Sequence, residues 1–255
     1  MTVSMNLGLN TNPWLAWHKP NLKARLRLFC FPYGGGGAGT FRTWQDGLPS
    51  AIEVCPVQIC GREGRLGEAP YTRLVPLVEA IAEGLSGMLA KPFAFFGHSM
   101  GAMLAFELSR RLGKEQLTRP VHLFVSGRRA PQLPDPLPTI HHLDPDEFIA
   151  VLRQRNILRK EVLESAALID YVTPILKADY EIVETYSYRP GDPFDFPITV
   201  FGGTEDPDSN ESDLAAWKEQ TNSSFALNML IGDHFFIDSC KNSLLQMIVK
   251  HLSIS

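Results

Sequence analysis

Ser99 lies in Phe95-Phe96-Gly97-His98-Ser99-Met100-Gly101, a G-x-S-x-G pattern. A serine hydroxyl becomes a useful nucleophile only when a base takes its proton, and the base needs an acid to orient it. The chain holds seven histidines. His98 is inside the serine turn and is expected to point the wrong way for a base. His18 falls near the start, His122 opens an apolar run, His141 and His142 sit in a helical stretch, and His251 is close to the end. His234, in Gly232-Asp233-His234-Phe235-Phe236, follows the last apolar run and is the expected base. Asp206, in Gly202-Gly203-Thr204-Glu205-Asp206-Pro207, follows the preceding apolar run and is the expected acid. Glu205 and Asp208 are neighbours that could be confused with it. Asp233 is next to His234, too near in the chain to reach the far ring nitrogen. A Ser99, His234 and Asp206 set transfers an acyl group to serine and then to water. The sequence has no H-E-x-x-H spacing, and no metal is expected.

The flanking patterns say how such residues would be held. An apolar run, Phe93 to Phe96, precedes the turn, and Ala102, Leu104, Ala105, Phe106, Leu108 and Leu112 follow at helical spacing. Strand, sharp turn and helix push a serine out of the sheet top in a strained conformation. Gly97 and Gly101 lack a Cβ, so strand and helix can approach each other. The helix start then offers free N–H groups and a positive dipole end to a developing oxyanion. Upstream, Arg25 to Phe31 reads as a strand entering a buried sheet. It leads into Pro32-Tyr33-Gly34-Gly35-Gly36-Gly37-Ala38-Gly39, where five of six positions from 34 to 39 are glycine. A backbone so bare must itself approach something, and ahead of a helix predicted over 41–48 it suits an oxyanion hole. A phosphate cradle would need G-x-x-x-x-G-K-[ST], or G-x-G-x-x-G with a later acidic ribose ligand, and neither occurs.

Further runs predict a strand over 52–59, a helix over 72–89, strands over 121–125, 197–201 and 225–231, and helices over 211–220 and 236–252. Gly61-Arg62-Glu63-Gly64-Arg65 is either a solvated loop or a loop at the rim of the site. Between the strands at 121–125 and 197–201 the pattern changes. Four prolines fall within 131–139, and 145–186 carries helical signals alone. Asp144 can cap a helix that starts at Pro145. Val172, Ile175, Leu176, Tyr180, Val183 and Tyr186 share one helical face. Residues 132–189 read as a helical lid inserted in a core of 1–131 and 190–255. The other reading is a surface insertion without gating.

The 255 residues fit one large α/β domain with such an insertion, and 44% hydrophobic with 20% charged residues allow a sizeable core. A net charge of −4 argues against nucleic acid or an anionic membrane as partner. Cys30, Cys55, Cys60 and Cys240 lack C-x-x-C spacing, which points to buried thiols in a reduced, cytoplasmic protein. Residues 1–24 read as an irregular arm pinned by Trp14 and Trp17, not a signal peptide. No apolar run reaches the roughly 18 residues of a membrane span. A monomer is expected.

FCFPYGGGGAGTF (29–41), GREGR (61–65), FFGHSMGAMLAFEL (95–108), SGRRAP (126–131), LKADYEIVETY (176–186), FGGTEDP (201–207) and GDHFF (232–236) occur in order over nearly the whole chain. In these segments the sequence resembles the type II thioesterases, the stand-alone editing hydrolases of nonribosomal peptide and polyketide assembly lines. Two departures stand out: Lys177-Ala178-Asp179 where the family usually has R-A-D, and Gly34 where Ala is common. Lys cannot reproduce the bidentate geometry of Arg. The resemblance implies an α/β-hydrolase fold, a mostly parallel central sheet flanked by helices with an inserted helical lid. It implies the triad Ser99, Asp206 and His234, with backbone N–H groups of Gly34 and Met100 as oxyanion donors. Tyr33, Gly35 and Phe235, beside them, are expected to meet substrate. The implied substrate is an acyl group on the phosphopantetheine arm of an acyl or peptidyl carrier protein domain. That arm belongs to the partner, so no cofactor is implied. A general carboxylesterase on small acyl esters is the alternative. A carrier-docking protein and an acyltransferase are weaker ones, disfavoured by the complete triad and by the late G-x-H-F-F.

Overall fold

Six apolar runs form strands: β1 (Leu26–Phe31), β2 (Ile52–Pro56), β3 (Phe93–His98), β4 (Leu123–Ser126), β5 (Ile198–Gly203) and β6 (Phe225–Leu230). In this computed structural model residues 12–114, 118–155 and 157–253 are described. The strands make one sheet in the order β2-β1-β3-β4-β5-β6, every pair parallel. A parallel sheet is covered on both faces, which is why β3 reads Phe-Ala-Phe-Phe and is buried along its length. Alternate residues serve opposite faces. Phe29, Phe31 and Phe95 pack under α1 (Leu74–Leu85) and α2 (Met100–Lys114). Leu28, Cys30 and Phe96 pack with Leu244 and Ile248 of the terminal helix, Lys241–Leu252.

β1 lies one strand in from the edge; the chain adds β2 outside it and then crosses to β3 on its other side. The order reverses between β1 and β3, where a crevice opens at the carboxyl ends of the strands. Phe31 pairs with Gly97, so the glycine loop leaving β1 and the serine turn leaving β3 emerge side by side. Gly203 pairs with Leu230, which brings the exits of β5 and β6 together.

Between β4 and β5 the chain forms α3 (Pro145–Gln154), α4 (Lys160–Leu163) and α5 (Ala166–Glu184). The Asp144 carboxylate accepts from Glu147 N–H at 2.9 Å, and Ser165 caps α5. Phe148, Ile149 and Leu152 of α3 pack on Val172 and Leu176 of α5 in a cluster of their own. After β5 come α6 (Glu211–Ala215) and, beyond β6, α7 (Phe236–Ser239) and α8 (Lys241–Leu252).

Some expectations shift. The helix over 41–48 is replaced by two short 3-10 turns, Ala38–Phe41 and Trp44–Gly47. The turns stack the Phe41 and Trp44 rings edge to face at 4.9 Å, and both rings pack on Phe96, so packing against the sheet overrides helical periodicity. The strand over 52–59 ends at Pro56, which has no N–H to extend a ladder. The helix over 236–252 breaks at Cys240, and that over 211–220 finishes as a 3-10 turn. Residues 1–11 of the arm lie outside the described residues. Trp14 is buried and pins the arm, whereas Trp17 is 59% exposed and does not. Among the described residues, no helix is long and apolar enough to cross a membrane.

Candidate active site

Ser99 has φ 53°, in the left-handed region that a non-glycine residue enters at a cost. The turn is enforced from both sides. Ser99 N–H donates to the Ser126 carbonyl at 2.8 Å, tying the turn to the end of β4. A Cβ on Gly97 would fall 2.1 Å from the Gly101 carbonyl oxygen, and one on Gly101 would fall 2.1 Å from that of Phe31. Strand, helix and neighbouring strand therefore touch backbone to backbone, and only glycine fits. The first N–H groups of α2, that of Met100 among them, have no partner within the helix.

His234 follows β6 and is buried. Its Nδ1 donates to Oδ2 of Asp206 at 2.9 Å. Asp206, beyond the end of β5, also accepts from Ser209 Oγ at 3.0 Å and from Asp208 N–H at 2.9 Å. The acid and base loops are stitched together: Thr204 N–H donates to the Leu230 carbonyl and Glu205 N–H to that of Gly232. Asp233 is occupied by its own turn, accepting from Phe235 N–H. Of the three aspartates weighed from the sequence, Asp206 is the one whose carboxylate touches the ring.

Burial pushes the Asp206 carboxyl up, but the His234 hydrogen bond and charge and the other donors outweigh it and leave it below its ordinary range. Burial likewise pulls His234 down, and the Asp206 hydrogen bond and charge, with a smaller share from Asp208, carry it above the ordinary histidine value. A base must be neutral to accept a proton. The acid limb of kcat/KM on an activated ester should therefore lie above the ordinary histidine pKa of about 6.5. Activity rises with pH through that point, and Asp208→Asn, by removing a negative charge, should draw the limb to lower pH. A pH profile of p-nitrophenyl acetate hydrolysis by both proteins checks this. A limb below the ordinary value, or one that Asp208→Asn raises, contradicts it.

His98 does more than point away. Its Nε2 lies 2.9 Å from the His234 carbonyl oxygen and its Nδ1 2.9 Å from Ser126 Oγ. A carbonyl only accepts, so Nε2 carries the proton and Nδ1 accepts from the serine. Burial and the nearby His234 push its pKa down to about 3, which keeps it neutral. His98 thus clamps the backbone of the base loop to β3 and β4. The motif places this histidine but gives no sign of the clamp.

Ser99, Met100, Gly34, Tyr33, His234 and Phe235 line one cavity of about 340 Å³. Among the described residues Ser99 Oγ makes no hydrogen bond. Such bonds are often long before substrate arrives. Leu152, Leu176, Tyr180 and Val183, from the helices between β4 and β5, form the cavity's other wall. Tyr33 and Phe235 pack edge to face at 5.5 Å, and the Arg159 guanidinium lies over both rings and pairs with Asp238 at 2.5 Å. Gly35, expected to meet substrate, does not line the cavity; its N–H donates to Asp179 at 2.7 Å instead. Asp206, Asp208 and His234 also place possible ligand atoms within 4.8 Å of one another, but the Asp206–His234 hydrogen bond engages the facing atoms.

The GREGR loop is only partly solvated, and none of its residues lines the cavity. Arg62 is buried and forms a bidentate pair with Asp179 of α5, both contacts 2.7 Å. Burial pulls Arg62 down, yet the Asp179 charge and hydrogen bonds hold it above its ordinary value. Lys177 does not join this pair. It donates to the Leu143 carbonyl and lies over the Phe148 ring, within the helical layer.

The thioesterase domain family matches residues 26–253. The chain is 42% identical over 243 residues, 95% of each protein, to the gramicidin S biosynthesis protein GrsT of Aneurinibacillus migulanus. Among solved structures it superposes with a TM-score of 0.83 on RedJ, a thioesterase of the prodiginine pathway in Streptomyces coelicolor, at 39% identity, over 90% of this chain and 86% of that one. It superposes with a TM-score of 0.84 on BorB, a type II thioesterase of the borrelidin cluster, at 32% identity, over 95% of this chain and 97% of that one.

Proposed function

The chain belongs to the thioesterase domain family and is a type II thioesterase of the α/β-hydrolase fold, and on that premise we propose that Ser99, His234 and Asp206 clear aberrant acyl units from carrier-protein phosphopantetheine arms in nonribosomal peptide or polyketide synthesis. The observation that carries the assignment of roles is that His234, hydrogen-bonded to Asp206, lines one cavity with a left-handed Ser99.

His234 Nε2 takes the Ser99 proton as Oγ attacks the thioester carbonyl. The carbonyl π electrons move to oxygen, and the N–H groups of Gly34 and Met100 bind the oxyanion. The intermediate collapses, the C–S bond breaks, and the pantetheine sulfur leaves with the proton from His234. Water then gives its proton to His234 and attacks the acyl-serine. The second intermediate expels Ser99 Oγ, which regains the proton, and the free acid departs. Asp206 keeps the proton on Nδ1, so Nε2 stays available as acceptor, and it stabilises the imidazolium formed in both halves. The protein contributes no cofactor to these steps. The phosphopantetheine is substrate.

Residues 132–189 act as a lid. Leu152, Leu176, Tyr180 and Val183 of this segment line the cavity with Ser99, and in this reading they cover the acyl chain while the pantetheine arm enters beside Tyr33 and Phe235. The deciding experiment is mass spectrometry of a panel of acyl-carrier proteins before and after incubation, with matched acyl-pantetheine thioesters and oxygen esters alongside. Loss of acyl mass from the carriers and a preference for the thioester are expected. Preference for the oxygen ester, with the carriers untouched, would mark a carboxylesterase.

The wall residues set which acyl chains fit. Ala178 is buried away from the cavity and Ala167 is exposed, so the informative position on α5 is Val183. Val183→Phe should lower kcat/KM for a hexanoyl thioester by roughly tenfold or more relative to acetyl, since one methylene of pocket space is worth about 10–200-fold. Comparing the two chain lengths on each protein tests this. A flat acyl preference would put the chain elsewhere.

A further inference from the structure

The glycine loop that carries the Gly34 N–H is held by two segments that bear no reacting group. On one side is α5. The Asp179 carboxylate, fully buried, accepts from Gly35 N–H at 2.7 Å. Gly35 has φ +76°, and a Cβ there would meet Leu176 Cδ2 at 2.6 Å, so the loop lies directly on the helix. On the other side is the GREGR loop. Arg62, which forks onto Asp179, also donates from Nη1 to the Gly36 carbonyl at 3.0 Å. Both carboxylate oxygens of Glu63 accept from Gly39 N–H, at 3.1 and 3.2 Å. A Cβ on Gly37 would fall 2.4 Å from that carboxylate. The run of glycines is thus explained by close contact with protein on two sides; of these glycines Gly34 alone faces the cavity, which Leu176 and Asp179 also line.

The geometry points to Asp179 and Arg62 as a positioning pair that sets the oxyanion loop, so that helix α5 of the lid and the Gly34 donor move as one body. This rests on the reading of Gly34 as an oxyanion donor. Gly35 N–H, Gly36 C=O, Arg62 and Asp179 form a closed ring of hydrogen bonds. Displacing α5 would break the ring at Gly35, one residue from the donor. Serine attack is then favoured only when α5 is seated, which ties reactivity to the covered state of the site.

Removing one partner of a buried ion pair strands the other charge, so single truncations confuse positioning with folding. The double variant Arg62→Met, Asp179→Leu removes both charges with groups of similar volume, an exchange that often leaves stability unchanged or raised. It also leaves Gly35 N–H without its acceptor. We expect a circular-dichroism melt close to that of the parent and a kcat lower by roughly 10²-fold, the scale of a lost oxyanion donor, with KM within about threefold. The loss should be equal for acetyl-pantetheine and p-nitrophenyl acetate, because both pass through the same oxyanion. Asp179→Asn keeps an oxygen facing Gly35 and should lose less, about tenfold, per folded molecule counted by fluorophosphonate labelling. A folded double variant with parental kcat on both substrates overturns the inference, as does Asp179→Asn at parental kcat if the double variant does not fold. A parent protein that spares thioesters but cleaves the oxygen ester would overturn the thioesterase reading alone, since the ester arm still reports on the loop.

Discussion

Ser99→Ala loses roughly 10³-fold or more in turnover with little change in KM. The substitution removes only Oγ. An alanine in its place would keep the strained turn, and the hydrogen bond from the N–H at that position to the Ser126 carbonyl is backbone. What goes is the acyl-enzyme route, and the oxyanion donors that remain can still bind and polarise a carbonyl for slow attack by water. His234→Ala should cost about as much. Because the two act in one step, the double variant should be no worse than the worse single one. Steady-state kinetics on an acyl-pantetheine thioester checks the losses, and peptide mapping after fluorophosphonate treatment should find the label on Ser99. Full activity without Ser99 Oγ, or label on another residue, would remove it from the mechanism.

Asp206→Asn is expected to lower kcat by roughly 10⁴-fold in a protein that still folds. Its Oδ2 accepts from His234 Nδ1. An amide that turns its NH₂ to the ring makes Nδ1 the acceptor, moves the proton to Nε2, and leaves Ser99 facing a donor. The amide keeps the volume of the carboxylate and one oxygen for Ser209 or Asp208 N–H, so the site does not collapse. Asp208→Asn and Asp233→Asn should cost far less, since Asp208 reaches Asp206 through its backbone and Asp233 serves its own turn. Kinetics on the three variants, with circular dichroism for the fold, tests the ranking. A crippled Asp208→Asn or Asp233→Asn protein beside an active Asp206→Asn would reverse it.

What can be read along the chain is whatever is local. The serine turn announces itself because Gly97 and Gly101 sit two residues either side of Ser99 in one short stretch, although the contact that demands Gly101 is with Phe31 of β1, far back in the chain. Strands β3 to β5 are readable because burial on two faces writes long apolar runs. The Arg62–Asp179 pair is not, since its partners are 117 residues apart and an arginine inside GREGR looks like any solvated loop residue. His98 shows the same limit. Its place is visible, while its partners, Ser126 and the His234 carbonyl, come from two other strand ends. The two turns over 38–47 escape a reading by periodicity because Phe41 and Trp44 answer to Phe96, a residue far along the chain.

Strands β4 and β5 pair directly, Leu123 against Ile198, although α3, α4 and α5 lie between them in the chain. The helices leave the sheet and return to it at neighbouring points. The entropy of closing such a loop grows only with the logarithm of its length, about 0.6 kcal/mol per doubling. The sheet is therefore nearly indifferent to how much chain is inserted there, and evolution or an engineer can lengthen, shorten or exchange most of the segment at small thermodynamic penalty. The freedom ends where the segment grips the rest of the fold. A replacement has to deliver a carboxylate where Asp179 meets Gly35 and Arg62, and it has to supply what Ile182 buries in the core and what Arg159 offers Asp238, so the segment is interchangeable in length but fixed at these contacts.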